Sequence, residues 1–269
     1  MNGDLPSLLT ILTAFSLYGV LSGVELGVAL LRVEPRLAPA KPSGKVFTPR
    51  LEATNVLLAA GCLGLAVLFN DAAVSVVGQM WPIIALGLAA LLLRAGFLVY
   101  LYSKKVRTGG KLANYVFLAA SLVVPLALGA CGIFMVTGDA FWQTGVGATL
   151  FLSLVLGLLA LGAAFLFYLG GKQTPQGVVA ISRMLNMALA GVLAIVLLGV
   201  LNGGGSHLFN LPYAYLAVIA AGLVLVQAAL MAAGKEWRMW WFLASLALLA
   251  PFLLGLANYP YLVFPTITL

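Results

Sequence analysis

The sequence predicts an all-α integral membrane protein of about eight transmembrane helices, with both termini outside. Three observations carry that prediction. Of 269 residues, 63% are hydrophobic and only 8% charged, and the mean hydropathy is +1.13. Soluble domains run about 45–50% apolar and about 25% charged, so water cannot solvate most of this surface and lipid must. Long apolar runs recur along the whole chain, and the basic residues collect in alternate connections between them. The formal net charge of +7 and a pI near 9.6 would suggest a nucleic-acid partner in a soluble protein. Here the placement of the charges follows the membrane, so they read as topology signals and no nucleic-acid partner is expected.

The apolar runs fall at about residues 7–31, 53–70, 76–102, 113–137, 144–170, 179–201, 212–233 and 238–256. A crossing needs roughly 20 apolar residues in a helix, which satisfies its own backbone where hydrocarbon offers no partner. The runs lack the alternation of a barrel strand. The first run has no basic segment before it and no small-residue cleavage site after it, so it reads as a retained span. Thirteen of the fourteen basic residues lie in four connections: the loop 32–51, the group Lys104, Lys105, Arg107 and Lys111, then Lys172 with Arg183, and Lys235 with Arg238. The intervening connections hold Asp71, Asp139 and His207 but no Lys or Arg. By the positive-inside rule the basic connections are cytoplasmic. The loop 32–51 carries Pro35, Pro39, Pro42 and Pro49, which predicts a helix-free strap. Trp142, Trp237, Trp240 and Trp241 lie near span ends, where amphipathic rings belong at the headgroup level. Cys62 and Cys131 form no CxxC pair and read as small core side chains.

Two charges remain inside spans, Glu25 and Arg94, with Glu52 at the cytoplasmic mouth of the second span. An ionisable group at bilayer depth costs at least roughly 2.5–3.5 kcal/mol, so each needs a partner or a task. Glu25 precedes Arg32 by about 10 Å of helix and Arg94 precedes Lys104 by about 15 Å, which puts both in the cytoplasmic half. Arg94 reads either as a buried charge partner or as a quinone-facing group. Tyr18, Ser22 and Glu25 share one helical stripe, a hydroxyl–hydroxyl–carboxyl line suited to passing a proton. Gly19, Gly23 and Gly27 form a second stripe that lets a neighbouring backbone approach, so the first helix is expected at the centre of the bundle.

A single histidine, His207, cannot supply a bis-histidine haem site, and there is no metal cluster, GxSxG or phosphate loop. The chain therefore reads as non-catalytic alone, with no metal or haem ligands and no catalytic residues of its own.

Several segments taken in order resemble subunit II of the cytochrome bd-type quinol oxidases. Ser22-Gly23-Val24-Glu25-Leu26-Gly27-Val28 is similar to that family's D-G-F-D-L-G-V, with Glu25 on the second acid and Ser22 replacing the first. Leu51-Glu52-Ala53-Thr54-Asn55-Val56 resembles W-D-G-N-Q-V without its tryptophan, with Glu52 on the aspartate. Arg94, Phe97, Tyr100 and Ser103-Lys104 resemble an Arg/Phe/aromatic/Ser-Lys run, and Val123-Val124-Pro125-Leu126 resembles V-P-P-L. Near the end, Asn258-Tyr259-Pro260-Tyr261-Leu262-Val263-Phe264-Pro265-Thr266 resembles F-P-x-x-x-P-S-S. The resemblance implies a single membrane domain, 1–269, built as two four-helix bundles of about 1–138 and 139–269. It implies a haem-free subunit of a quinol oxidase in the bacterial or archaeal cytoplasmic membrane, supporting a subunit I-like partner that carries haems b and d (or b only) and oxidises quinol. It further implies a proton path from the cytoplasm through Glu25, Glu52, Ser22 and Tyr18, lipid contacts, and a bound quinone in some members. Three other readings stay open: a bd-like complex with another electron acceptor, a passive scaffold, and a secondary transporter with helices broken at Pro125 and Pro251.

Overall fold

The computed structural model describes residues 4–33, 48–104, 110–140, 142–170, 176–201, 222, 226, 236–257, 261–263 and 267–268. They form α1 (Asp4–Val33), α2 (Thr48–Leu68), α3 (Asn70–Lys104), α4 (Lys111–Thr137), α5 (Gly145–Gly170), α6 (Gln176–Leu201) and α7 (Glu236–Ala257). Seven of the eight expected spans are thus helices. The remaining run, 212–233, lies outside the described residues except for Gly222 and Val226, both helical. Leu5–Val33, Asn70–Tyr100, Lys111–Thr137 and Gly147–Leu169 are long and apolar enough to cross a membrane, while Ala53–Leu68, Gln176–Val192 and Trp240–Phe252 are shorter apolar helices. At 35 residues, α3 is about 52 Å long, well beyond a hydrocarbon core of about 30 Å, so it tilts or projects. The strap expected to be helix-free over 32–51 is shorter than that: residues 32–33 end α1 and 48–51 open α2, where Pro49 fits the first turn, which lacks helical N–H partners; residues 34–47, the loop with Lys105 and Arg107, and His207 lie outside the described residues.

Three details depart from the sequence expectations. No loop separates α2 from α3. Phe69 alone joins them, its N–H donating to Leu65 O at 2.9 Å and its carbonyl accepting from Ala73 N at 3.0 Å. It therefore caps both helices at once, and Asp71 falls in the first turn of α3. The reversal is anchored by burying the Phe69 ring with Leu8, Ile11 and Phe134. Second, the chain ends in an antiparallel ribbon of β1 (Tyr261–Val263) and β2 (Ile267–Thr268), with Tyr261 opposite Thr268. Third, α4 and α7 run unbroken through Pro125 and Pro251, which removes the broken-helix feature of the transporter reading. Each proline costs one helical bond, to Ser121 O and Ala247 O respectively. The carbonyl of Ala247 faces Gly19 of α1, the residue type that lets it come close.

The packing is organised around α1. Tyr18 packs with Leu58 of α2, Ala90 of α3, and Ala120 and Val124 of α4, while Ala29 packs with Phe97, Leu98 and Phe117. Val24 and Val28 turn the other way, onto Ala160, Leu161, Ala164 and Phe165 of α5, Leu189 of α6, and Trp240 and Leu243 of α7. Every residue from Ser22 to Ala29 is buried, as befits a helix enclosed on all sides. The glycine stripe accounts for one of those sides. A Cβ on Gly27 would lie 2.9 Å from Gly162 O, and a Cβ on Gly162 would lie 3.3 Å from Gly27 N. The two glycines let α1 and α5 cross backbone to backbone.

Tryptophan and cysteine placement is mixed. Trp142 and Trp241 are exposed, suited to an interface. Trp240, one residue from Trp241 and so about 100° around the helix, is instead core, 5.0 Å from the Phe165 ring and 6.2 Å from Tyr168. The side chain of Trp237 is outside the described set. Cys131 is half-buried, but Cys62 is exposed rather than in the core; both are free thiols.

Gly27→Ala is expected to destabilise the fold by about 1–3 kcal/mol, because the backbone of α5 cannot yield to an added methyl. Gly132→Ala on the open face of α4, where an added Cβ meets nothing within 4 Å, should leave stability unchanged or slightly raised. Thermal unfolding of the detergent-solubilised protein reads both.

Candidate functional site

The polar stripe of α1 faces α2 and α3, and there the structure builds one buried charge cluster. Arg94 on α3 reaches Glu25 on α1, Nη1 donating to Oε2 at 2.6 Å. Its other terminal nitrogen, Nη2, donates to the side-chain oxygen of Asn55 on α2. Thr54, the residue before, is fully buried and adds a side-chain hydrogen bond to the Glu25 carboxylate. Arg94 is 0% exposed and Glu25 1%. Three helices therefore converge on one guanidinium, whose planar fork presents two terminal donors to a carboxylate and an amide at once.

The geometry has a simple origin. Glu25 and Arg94 lie at similar heights, about 10 Å of helix before Arg32 and about 15 Å before Lys104, and the arginine side chain spans the difference. One helical turn along from the pair, Ala29 of α1 packs in one cluster with Phe97 of α3 and Phe117 of α4. There Arg32 lies over two rings, 5.7 Å from the Phe97 centroid and 5.5 Å from Phe117. Those rings stack at 4.8 Å. Asn114 of α4 donates to the Arg32 carbonyl at 3.0 Å, satisfying an end-of-helix acceptor that α1 leaves open. This aromatic clamp fixes the Arg32 end of α1 against α3 and α4, and with it the height of Glu25.

The sequence-predicted residues divide in three ways. Glu25, Arg94 and Tyr18 share the cluster. Tyr18 is 1% exposed, and Arg94 and Glu25 lie close enough to act on its hydroxyl, which forms no hydrogen bond of normal geometry. Ser22 is buried, but its hydroxyl donates to the Gly19 carbonyl at 2.8 Å. The expected hydroxyl–hydroxyl–carboxyl line thus has its middle proton committed to the helix backbone, a common fate of serine within a helix. Glu52 lies in α2, three residues before Asn55; its side chain is outside the described set. Sequence reasoning missed Thr54 and Asn55 as partners. The available signal was two adjacent polar residues inside an apolar span, close to the depth of an uncompensated arginine. Among the described residues, no group of three His, Cys, Asp or Glu side chains could hold a metal ion.

A family model described as cytochrome bd terminal oxidase subunit II matches residues 6–269, nearly the full chain. The chain belongs to that family. It is accordingly a multi-pass membrane protein and a component of a cytochrome bd-type oxidoreductase complex of the respiratory chain. No curated protein matches the chain in sequence. Within the matched region, the acid of the first motif, the polar pair of the second and the arginine of the third are the residues that meet in the cluster.

Removing one member of a buried ion pair strands the other, at a cost of about 3–5 kcal/mol. Glu25→Ala and Arg94→Ala should each lose stability on that scale. The double variant should lose less than the sum, because no charge is left unpaired. A double-mutant cycle on unfolding midpoints measures the coupling, and strict additivity would mean that the two side chains do not interact.

Proposed function

We propose that this chain is the haem-free subunit II of a quinol oxidase in a bacterial or archaeal cytoplasmic membrane. It crosses eight times with both termini outside, supports a haem-bearing subunit I-like partner and supplies a proton route from the cytoplasm. The family match over residues 6–269 carries the reading. The lone histidine supports it, since haems b and d in bis-histidine or similar sites need ligands this chain does not have. The haems, or haem b alone, then belong to the partner, and electron transfer runs there. A quinone bound against this subunit is compatible with the family, and no step assigned here depends on it.

The proton route is the finer part of the proposal. Glu52 lies in the second turn of α2, beside the basic strap, and would take protons from the cytoplasmic side. Glu25, one helix away and deeper, would receive them. Oxygen reduction consumes protons as well as electrons, so a complex whose haems lie in the membrane needs carboxylates that reach down to that depth. The bond from Arg94 couples any protonation of Glu25 to the position of the guanidinium, which Asn55 also holds.

Two measurements test the proposal. Purified from its native membrane by a tag on this chain, the protein should come out with a haem-bearing membrane partner and sustain quinol-driven oxygen uptake. A haem spectrum carried by the isolated chain would overturn it, and haem with quinol turnover but no oxygen uptake would indicate another acceptor. Within the assembled complex, Glu25→Gln and Glu52→Gln should each slow turnover about tenfold or more at unchanged haem content, the scale of a lost proton-transfer group. A passive scaffold would keep full turnover.

A further inference from the structure

Two consecutive residues of α2 hold opposite halves of the buried ion pair. Thr54 bonds the Glu25 carboxylate, and Asn55 accepts from Arg94 Nη2. A guanidinium is planar, and its donors divide between its edges. Nη1 donates to Glu25 Oε2 at 2.6 Å. Nε–H and Nη2 share another edge, where Nε–H forms no hydrogen bond. Asn55 Oδ1 is therefore the one acceptor on that edge among the described residues. Arg94 is 0% exposed, so solvent does not stand in for a lost partner, and a buried cation without an acceptor is costly. The surroundings add no second counter-charge. Among the described residues, the titratable groups within electrostatic range of Glu25 are Arg94 on α3 and Tyr18 on α1 itself. The other helices around α1 meet it with apolar side chains: Ala120 of α4, Leu161 of α5, Leu189 of α6 and Leu243 of α7.

We propose that Asn55 is a positioning residue for the proton of Glu25: it holds the Arg94 guanidinium while Glu25 is protonated, and so sets how readily Glu25 accepts that proton. With Glu25 ionised, the carboxylate compensates the cation and the amide adds comparatively little. Once Glu25 is neutral, the Asn55 carbonyl oxygen is the acceptor that remains, and a hydrogen bond to an uncompensated charge is among the stronger ones. No rearrangement is needed, because the amide already stands on the guanidinium. Without Asn55, protonating Glu25 would strand a buried guanidinium, so the pair would stay ionised to lower pH. The protonation equilibrium belongs to the cluster itself. Its consequence for turnover rests on the proton-route reading given above.

The test is an infrared titration of the assembled complex. The carboxylic-acid C=O stretch of Glu25 is identified by its loss in Glu25→Gln, and its midpoint is followed with pH. Asn55→Leu should move that midpoint about one pH unit toward acid, a tenfold change in the protonation equilibrium. Asn55→Gln keeps the acceptor and should stay close to the parent. Asn55→Asp gives the guanidinium a charged acceptor and should move the midpoint the opposite way; with Asn55→Gln it carries the test if Asn55→Leu does not assemble. A merely structural role would change assembly or stability without opposite displacements. An unmoved midpoint in Asn55→Leu, or displacement of Asn55→Leu and Asn55→Asp in the same sense, would overturn the assignment. The pH profile of quinol-driven turnover should follow the midpoints. Displaced midpoints with full turnover in Glu25→Gln would refute the proton route and leave the role of Asn55 standing. Slow turnover in Glu25→Gln with unmoved midpoints would refute the role of Asn55 alone.

Discussion

The ion pair between Glu25 and Arg94 is the constraint around which the first three helices are arranged. A charge taken alone into a low-dielectric interior loses several kcal/mol of hydration even after relaxation, more than any single apolar contact returns. The chain offsets that cost by bringing the opposite charge to 2.6 Å and spreading the guanidinium onto a neutral amide on a third helix. Once both charges are in the membrane, α1 and α3 must present Glu25 and Arg94 at one height, and α2 must pass within reach of the guanidinium. The hairpin at Phe69 makes that possible. A one-residue joint brings α2 back along α3, which places Asn55 beside Arg94 although 39 residues separate them.

What could be read from the residues and what could not follows from the same physics. Hydropathy reports depth, because the cost of a charge or the gain from an apolar side chain depends on distance from the interface. Seven described helices accordingly fall where the apolar runs put them, and the depths of Glu25 and Arg94 follow from counting residues to Arg32 and Lys104. Hydropathy does not report azimuth in the bundle. The pairing of Glu25 with Arg94, and the recruitment of Asn55 and Thr54, depend on which faces of three helices meet, and spacing along one chain holds no such information. Trp240 illustrates the same gap. Its position near a span end suggested the interface, yet it faces Phe165 and Tyr168 while Trp241 beside it is exposed. The joint at Phe69 was hidden for a different reason: Asp71 read as part of a connection, but an acidic residue also suits the first turn of a helix.

The glycine stripe was legible because it is a periodic pattern on one helix, and it says something the charges alone do not. Gly23 and Gly27 admit Leu161 and Gly162 of α5, on the side of α1 turned away from Arg94. Taking 100° per residue, the Tyr18–Ser22–Glu25 stripe and the Gly19–Gly23–Gly27 stripe lie about 130° apart around the helix. One face is satisfied only by polar partners, and the other only by a close backbone.

These two requirements fix the rotation of α1 jointly. Turning the helix by one residue would carry Glu25 away from Arg94 and at the same time drive a side chain into the Gly162 backbone, so neither error could be relieved by repacking the other face. The same coupling makes α1 the element that joins the two sides of the subunit. A continuous line of contacts runs from Arg94 and Glu25 through the Gly27–Gly162 crossing to α5, and from Phe165 to Trp240 on α7. Rigid packing against glycine allows no slack in that linkage, whereas a Leu-rich seam of the same length would absorb a small shift in side-chain rotamers.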